Sequence, residues 1–214
     1  MRLLNLFSGT DSVAKPWRQA GHEVISVDCD PTFNPEICDD ILQTDYTKIP
    51  IPDVIWSSPP CDQYSMARTR AKTPRNLVLA DKLVARALEI IHYFEALNPK
   101  LIWFMENGNS TLLWKRAVAK DLTTYVKLDY CQYGLKYRKR TRIAHSDNLH
   151  WIPRALCNPK TCHACDSTGK HFMTAQRGPC AGRIHDVCTL NQLHALPHEL
   201  TQEILQICCD QTWV

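Results

Sequence analysis

Short apolar runs and longer segments of helical periodicity alternate along this chain. Runs bounded by glycine, proline or acidic residues predict β-strands at residues 3–7, 23–27, 54–56, 101–105, 125–130 and 142–144. Apolar residues spaced three and four apart predict helices at 12–20 and 77–97, and again at 189–209 with an interruption at Pro197. Strands alternating with helices are typical of an α/β fold, so we expect a doubly wound, mainly parallel sheet.

The pattern breaks down from about residue 153 to residue 188, where cysteine, glycine, proline and charged residues replace the periodic segments. We therefore divide the chain into a main domain, residues 1–148 and 189–214, and a small irregular insert, residues 149–188. A length of 214 residues suits one α/β domain with little left over.

Composition excludes few classes of protein. No apolar run is long enough to span a membrane and no signal peptide is visible, so we expect a protein of the cytoplasm, bacterial or host, and a monomer. The net charge of +3 does not by itself indicate nucleic-acid binding. Basic residues do form clusters along the chain, however. Each cluster could bind phosphate groups or could simply be a charged surface exposed to water. The clusters comprise Arg68, Arg70, Lys72 and Arg75, and then Lys136, Arg138, Lys139, Arg140 and Arg142.

The segment after the strand at 54–56 reads Ser57-Ser58-Pro59-Pro60-Cys61. Proline cannot continue a central strand, so the chain must turn out at the carboxyl edge of the sheet, where open α/β folds bind ligands. Taken alone, a buried and inert cysteine explains this segment as well as a reactive one does. Glu106 and Asn107 follow another predicted strand, which places further polar groups at that edge.

The first strand and turn suggest a nucleoside site. A turn at Ser8-Gly9 precedes a helix, and Asp28 ends the next strand, where an acid accepts hydrogen bonds from ribose hydroxyls. Gly9 is followed by Thr10 and Asp11 rather than by further glycines, so a pyrophosphate site is absent. The negative charge suits a cationic ligand, such as the sulfonium of S-adenosylmethionine.

Taken in order, these segments resemble the motifs of the C5-cytosine DNA methyltransferases, and the compact form is most similar to the small enzymes of bacteriophages and large DNA viruses. The resemblance implies a Rossmann-like class I methyltransferase that methylates C5 of cytosine in DNA through a covalent cysteine adduct. It makes the insert a small target-recognition region. The segments that carry it are residues 4–9, Asp28, Asp40-Ile41, residues 60–63, Glu106-Asn107, residues 133–142 and residues 189–197.

The resemblance also implies roles for individual residues. Catalysis would fall to Cys61 as nucleophile, Glu106 as acid, Asn107, Arg140 and Arg142. S-adenosylmethionine would lie against Phe7, Ser8, Gly9, Thr10, Asp28, Cys29, Asp40, Ile41 and Pro59. DNA would contact Gln63, Ser65, Arg68, Arg70, Lys72, Arg75, Arg138, Gln176 and Arg177.

Several residues depart from the family pattern. Asn5 replaces an acid, and Tyr137 or Arg138 stands where a glutamine usually precedes the two arginines, so the arginine alignment is open by one residue. Three other functions remain open. Ser58-Pro59-Pro60 resembles the motif of methyltransferases that act on exocyclic base nitrogens, RNA cytosine is an alternative substrate, and a non-catalytic nucleic-acid-binding paralogue is the third.

Eleven cysteines in a chain without a secretory signal indicate reduced thiols or a metal site rather than disulfides. Cys162-His163-Ala164-Cys165 has the two-residue gap of a zinc knuckle. We predict a zinc site formed by Cys157, Cys162, Cys165 and Cys180, with free thiols in a loop-rich segment as the alternative.

Overall fold

The computed structural model describes residues 1–68, 71–175 and 188–211. A seven-stranded sheet with the strand order β3-β2-β1-β4-β5-β7-β6 forms its centre. The strands are β1 (Arg2–Leu6), β2 (Glu23–Asp28), β3 (Ile37–Cys38), β4 (Val54–Ser57), β5 (Ile102–Gly108), β6 (Tyr125–Asp129) and β7 (Arg140–His145).

The five strands from β3 to β5 pair in parallel, and β7 is antiparallel to both of its neighbours. The predicted mainly parallel α/β sheet is therefore confirmed. Parallel pairing brings the carboxyl ends of β1, β2, β4 and β5 to one edge, where the loops after these strands meet.

Helices cover both faces of the sheet. The helices are α1 (Ala14–Gln19), α2 (Leu77–Leu97), α3 (Leu190–His194) and α4 (His198–Gln211). One face packs on α2, whose buried stripe includes Val84, Ile91 and Phe94. The other face packs on α1 and α4 through Trp17, Leu200 and other buried side chains. Each large apolar side chain buried in this way stabilises the fold by about 1.5–3 kcal/mol relative to exposure.

Some predicted boundaries differ from the structure for local reasons, and one strand was not predicted. Phe7 has a positive φ of 57°, a left-handed conformation that ends β1 one residue earlier than expected. The short edge strand β3 has too few residues to show a periodicity and was not predicted. β5 continues beyond the predicted end at residue 105 because Glu106, Asn107 and Gly108 pair with β7. Helix 77–97 and the break at Pro197 were predicted correctly.

The described part of the insert, residues 149–175, is irregular apart from a single antiparallel bridge between Cys165 and His171. Among the residues described, no helix has both the length and the apolar character needed to cross a membrane.

Candidate active site

The loop after β1 makes a tight turn against the end of β2. Phe7, Gly9 and Asp11 all have positive φ, and Gly9 N–H donates to Asp28 Oδ2 at 2.8 Å. The Asp30 N–H donates to the other oxygen of Asp28 at 2.9 Å. Asp28 therefore fixes the turn that was predicted to approach a nucleoside.

The other predicted cofactor residues lie along the same edge, with different exposure. Asp40 is exposed, and its Oδ1 accepts the Leu42 N–H at 3.0 Å, whereas Ile41 is buried. Cys29 is exposed, Pro59 is buried, and Ser8 and Thr10 are half-buried.

Asp11 stands out in this turn. Its Oδ1 is buried and has no hydrogen-bond partner among the described residues, while Arg18 Nε donates to its Oδ2 at 3.3 Å. Burial raises the pKa of Asp11 above the ordinary aspartate value, and this effect exceeds the lowering by Arg18. The side chain of Asn5, whose Nδ2 is also buried without a partner, lowers the pKa of Asp11 to a smaller extent and is a candidate donor to this carboxylate. The carboxylate also suits a cationic ligand at this position.

Cys61 follows β4 and is half-buried. Burial raises the pKa of its thiol, and the nearby carboxyl of Glu106 raises it further, whereas the charge of Lys139 lowers it. The protein therefore holds Cys61 as a thiol at neutral pH. The charges of Glu106 and Lys139 therefore act on the sulfur in opposite directions.

Glu106 lies on β5, only 8% exposed, and the Tyr130 hydroxyl donates to its Oε1 at 3.3 Å. Asn107, the next residue, turns to the opposite face, where its Nδ2 donates to the Pro59 carbonyl at 3.0 Å. Asn107 thus ties the end of β5 to the segment that carries Cys61, which fixes the nucleophile candidate rather than the acid.

The structure does not bring Arg140 and Arg142 to the face of Glu106. Glu106 pairs with Ile143, and side chains alternate between the two faces along a strand. The side chains of Arg140 and Arg142 therefore point to the face of the sheet opposite Glu106. Arg140 forms an ion pair with the buried Asp129, with 2.7 Å between Nη2 and Oδ2.

Arg142 stacks between the rings of Trp114 and Tyr125, with its Cζ 4.8 and 4.3 Å from the ring centroids. Arg140 and Arg142 therefore lie on the face of the sheet opposite Glu106, held there by Asp129 and by these two rings.

Lys139, which precedes β7, is the basic residue whose charge acts on Cys61. Its Nζ lies 4.9 Å from the centroid of the Tyr130 ring and donates to the Leu193 carbonyl at 3.0 Å. The missing glutamine and the resulting one-residue ambiguity were the only sequence signals that pointed to it. Tyr130 had no such signal, because its proximity to Glu106 depends on the fold.

Comparison with known proteins identifies the family. The sequence profile of the C-5 cytosine-specific DNA methylases matches residues 1–138. A probable DNA (cytosine-5)-methyltransferase of Frog virus 3 (isolate Goorha) is 32% identical over 229 residues, covering 97% of this chain and 100% of the relative. The chain belongs to the C-5 cytosine-specific DNA methylase family.

A solved structure supports the fold of this methylase. The methyltransferase EhMeth of Entamoeba histolytica superposes with a TM-score of 0.53 at 12% identity, covering 99% of this chain and 98% of that one. The Dnmt2 methyltransferase of S. pombe gives a TM-score of 0.47 at 12% identity, covering 68% of this chain and 49% of that one. The first likeness supports the Rossmann-like methyltransferase fold.

The loop that follows the nucleophile candidate is held by its own polar residues. Arg75 donates to the carbonyls of Gln63 and Ser65 at 2.6 and 2.8 Å, and Arg68 Nη2 donates to Thr73 Oγ1 at 2.8 Å. These residues of the methylase were predicted to contact DNA, and here they fix the loop.

A second group of residues anchors the same loop to α2. The buried Tyr64 hydroxyl donates to Asp81 Oδ1 at 2.9 Å, and Arg116 Nε donates to Asp81 Oδ2 at 3.0 Å. The sequence analysis did not single out these three residues, because they are far apart along the chain.

Other predicted DNA contacts are exposed or undescribed. Lys72 and Arg138 are exposed and available to a phosphate. The predicted contacts outside the described residues are Arg70, Gln176 and Arg177.

The insert of the methylase brings cysteines together, but not the predicted four. Cys131, Cys157, Cys162 and His171 place their ligand atoms within 4.8 Å of one another. Cys165 lies beside this group, with 3.5 Å between its Sγ and His171 Nδ1, and Cys180 lies outside the described residues. Cys131 and His171 were not predicted as ligands.

The charges around Cys61 predict how its reactivity changes with pH. Replacing Glu106 with glutamine removes a negative charge that raises the thiol pKa, so alkylation of Cys61 by iodoacetamide should begin at lower pH than in the wild type. Replacing Lys139 with methionine should shift the profile to higher pH. Peptide mass spectrometry of Cys61 across a pH series measures both shifts, with exposed Cys38 as the internal control.

Proposed function

We propose that this protein transfers a methyl group from S-adenosylmethionine to C5 of cytosine in DNA. The observation that carries the proposal is the link between the Cys61 segment and the end of β5, where Asn107, next to the buried Glu106, donates to the Pro59 carbonyl. The family assignment supports the same reaction.

The thiol of Cys61 fits the role of the covalent nucleophile. Cytosine C5 becomes nucleophilic once a thiolate has added to C6, which is covalent catalysis by an activated cysteine. Because the free protein holds a neutral thiol, the proton must leave Cys61 before or during the addition, and the carboxylate of Glu106, whose charge acts on this sulfur, can accept it and then pass it to the ring nitrogen. The ammonium of Lys139 favours the thiolate, and it is the cation that the described residues place near the sulfur.

Glu106 fits the role of the group that acts on the ring nitrogen N3. Negative charge develops on the ring as the thiolate adds, and a positioned carboxyl group can donate a proton or a hydrogen bond there. The hydrogen bond from Tyr130 and the low exposure of Glu106 fix the orientation of its carboxyl group.

The first turn has the features that a sulfonium cofactor requires. S-adenosylmethionine, when bound, supplies an electrophilic methyl group. The turn between Phe7 and Asp11 lacks the glycines of a pyrophosphate site, and Asp11 offers a buried, partnerless carboxylate oxygen to a cationic methionine end. Asp28 would accept hydrogen bonds from the ribose, while its carboxylate also accepts the backbone N–H groups of Gly9 and Asp30 and so holds the turn.

A base in a duplex cannot reach a pocket at this depth, so the target cytosine must leave the stack. The loop of residues 62–75 borders Cys61 and carries basic side chains, several of which bind the loop itself in the free protein. Exposed Lys72 and Arg138 are available to phosphates from the outset.

The transfer reaction is tested by incubating the protein with methyl-labelled S-adenosylmethionine and either DNA or RNA, and then identifying the labelled nucleoside. We expect 5-methyldeoxycytidine, and no transfer by the Cys61→Ser variant. Label in RNA cytosine would move the substrate to RNA. Label on an exocyclic nitrogen, or transfer that survives Cys61→Ser, would overturn the mechanism.

Glu106→Gln should lower turnover by about 10²–10⁴-fold, because a positioned acid is removed. DNA affinity should change by only a small factor, since a single neutral hydrogen bond is worth about 0.5–1.5 kcal/mol. Single-turnover kinetics and a gel-shift titration separate the two quantities. Near-normal methylation by this variant would remove Glu106 from the mechanism.

Cofactor affinity should rise with pH through the range just above the ordinary aspartate pKa of about 3.9. The pKa of Asp11 is raised, so part of this carboxyl is still neutral there, and only the ionised form pairs with a cationic ligand. Calorimetry across a pH series measures the slope.

Asp11→Asn should flatten that pH slope. Asp28→Ala should instead weaken cofactor binding at every pH by roughly 10- to 100-fold, the worth of a hydrogen bond to a charged group. Unchanged affinity in Asp28→Ala would contradict the assignment of this turn.

A further inference from the structure

The insert packs on the sheet in two places. Near its start, Leu149 and Trp151 are buried in the main core, where the Trp151 ring contacts Phe104. Further along, Cys157, Cys162 and Ala164 are buried together with Cys131 in a separate small cluster. A buried Leu or Phe would supply about 1.5–3 kcal/mol, and the described part of this second cluster has no such side chain. Apolar burial therefore contributes little to holding this second part of the insert.

The cluster has the geometry of a tetrahedral metal site. Cys131, Cys157, Cys162 and His171 each offer one ligand atom, all within 4.8 Å of one another. His171 Nε2 lies 3.5 Å from Cys157 Sγ and 3.8 Å from Cys162 Sγ. Zinc with bonds of about 2.0–2.3 Å in tetrahedral geometry requires ligand atoms roughly 3.5–3.8 Å apart.

Backbone contacts present these ligands without help from a hydrophobic core. Cys162 begins a tight turn in which the Cys165 N–H donates to its carbonyl at 3.0 Å. The antiparallel bridge between Cys165 and His171 brings the imidazole back over this turn. Cys157 N–H donates to Asp129 Oδ2 at 3.0 Å, which attaches the insert to the end of β6.

The surroundings also suit a metal bound by thiolates. Gln132 Nε2 lies 3.8 Å from Cys131 Sγ and 3.6 Å from Cys162 Sγ, so its amide hydrogens can stabilise sulfur that carries negative charge. Cys165 Sγ lies 3.5 Å from His171 Nδ1. If Nε2 binds the metal, Nδ1 is the ring nitrogen that remains for a contact that orients the imidazole.

We propose that Cys131, Cys157, Cys162 and His171 bind one Zn²⁺ ion that attaches the insert to the catalytic sheet. Three thiolates and one imidazole form a set that favours zinc over magnesium or calcium. The complex would carry a net charge of −1, and Arg140 lies close enough to Cys131 and Cys157 to offset it. The proposal does not depend on the methylation reaction.

The site has a consequence for the catalytic edge. Cys131 lies in the short helical turn Tyr130–Tyr133, and the residue before it, Tyr130, donates its hydroxyl to Glu106. A metal bound to Cys131 would fix this turn. The insert would thus be attached to Cys131 through the metal, and Glu106 is attached to Tyr130 through a hydrogen bond. These two residues are adjacent in one turn.

Metal content tests the proposal directly. The full chain, purified under reducing conditions from zinc-supplemented medium, should contain one zinc per molecule by plasma mass spectrometry. Cys131→Ser and His171→Ala should each lower zinc affinity at least tenfold in a chelator competition. Cys188→Ser is the matched control and should retain zinc, since Cys188 is a thiol buried in the main core rather than in this cluster.

Cobalt substitution of the wild-type chain gives a second readout that needs no variant to fold. A tetrahedral Co²⁺ spectrum with charge-transfer intensity for three thiolates supports the proposal. Intensity for four thiolates, together with zinc lost in Cys165→Ser and kept in His171→Ala, would replace the proposed ligands with four cysteines. Wild-type protein that holds no zinc and takes up no cobalt, or that shows disulfides among these cysteines, overturns the proposal.

Discussion

The antiparallel pairing of β5 with β7 decides which chemical groups meet at the active-site edge. This pairing extends β5 through Glu106 to Gly108 and places Glu106 opposite Ile143. Because alternate residues of β7 point to opposite faces, Thr141 shares the face of Glu106, and Lys139, just before the strand, also approaches it. A shift of one residue in this register would exchange lysine for arginine at the site.

The same register separates the positive charges into two groups. Lys139 acts on the Cys61 thiol, while Arg140 and Arg142 are held by Asp129 and by two aromatic rings on the other face. Burial and Glu106 oppose Lys139, and the net effect keeps the free thiol neutral. A nucleophile that is protonated until the substrate arrives is protected from oxidation, since the thiolate is the reactive form.

The sequence predicted features that depend on local signals. Helix 77–97 follows from its apolar periodicity, and the positions of Cys61 and Glu106 at strand ends follow from the residues around them. Lys139 could not be assigned in this way, because its role depends on the register between β5 and β7. Cys131 was missed as a candidate ligand for a similar reason, since it lies far from the insert in sequence and joins it only in the folded chain.

Asp129 shows why the insert and the catalytic strands must fold together. This fully buried carboxylate accepts hydrogen bonds from Arg140 of β7 and from the Cys157 N–H of the insert. A buried charge is costly unless it is paired and hydrogen-bonded, so loss of either partner destabilises the end of β6. The turn that begins at Tyr130 follows directly. The position of Tyr130 against Glu106 therefore depends on contacts made by the insert, which also packs Trp151 into the core on that face.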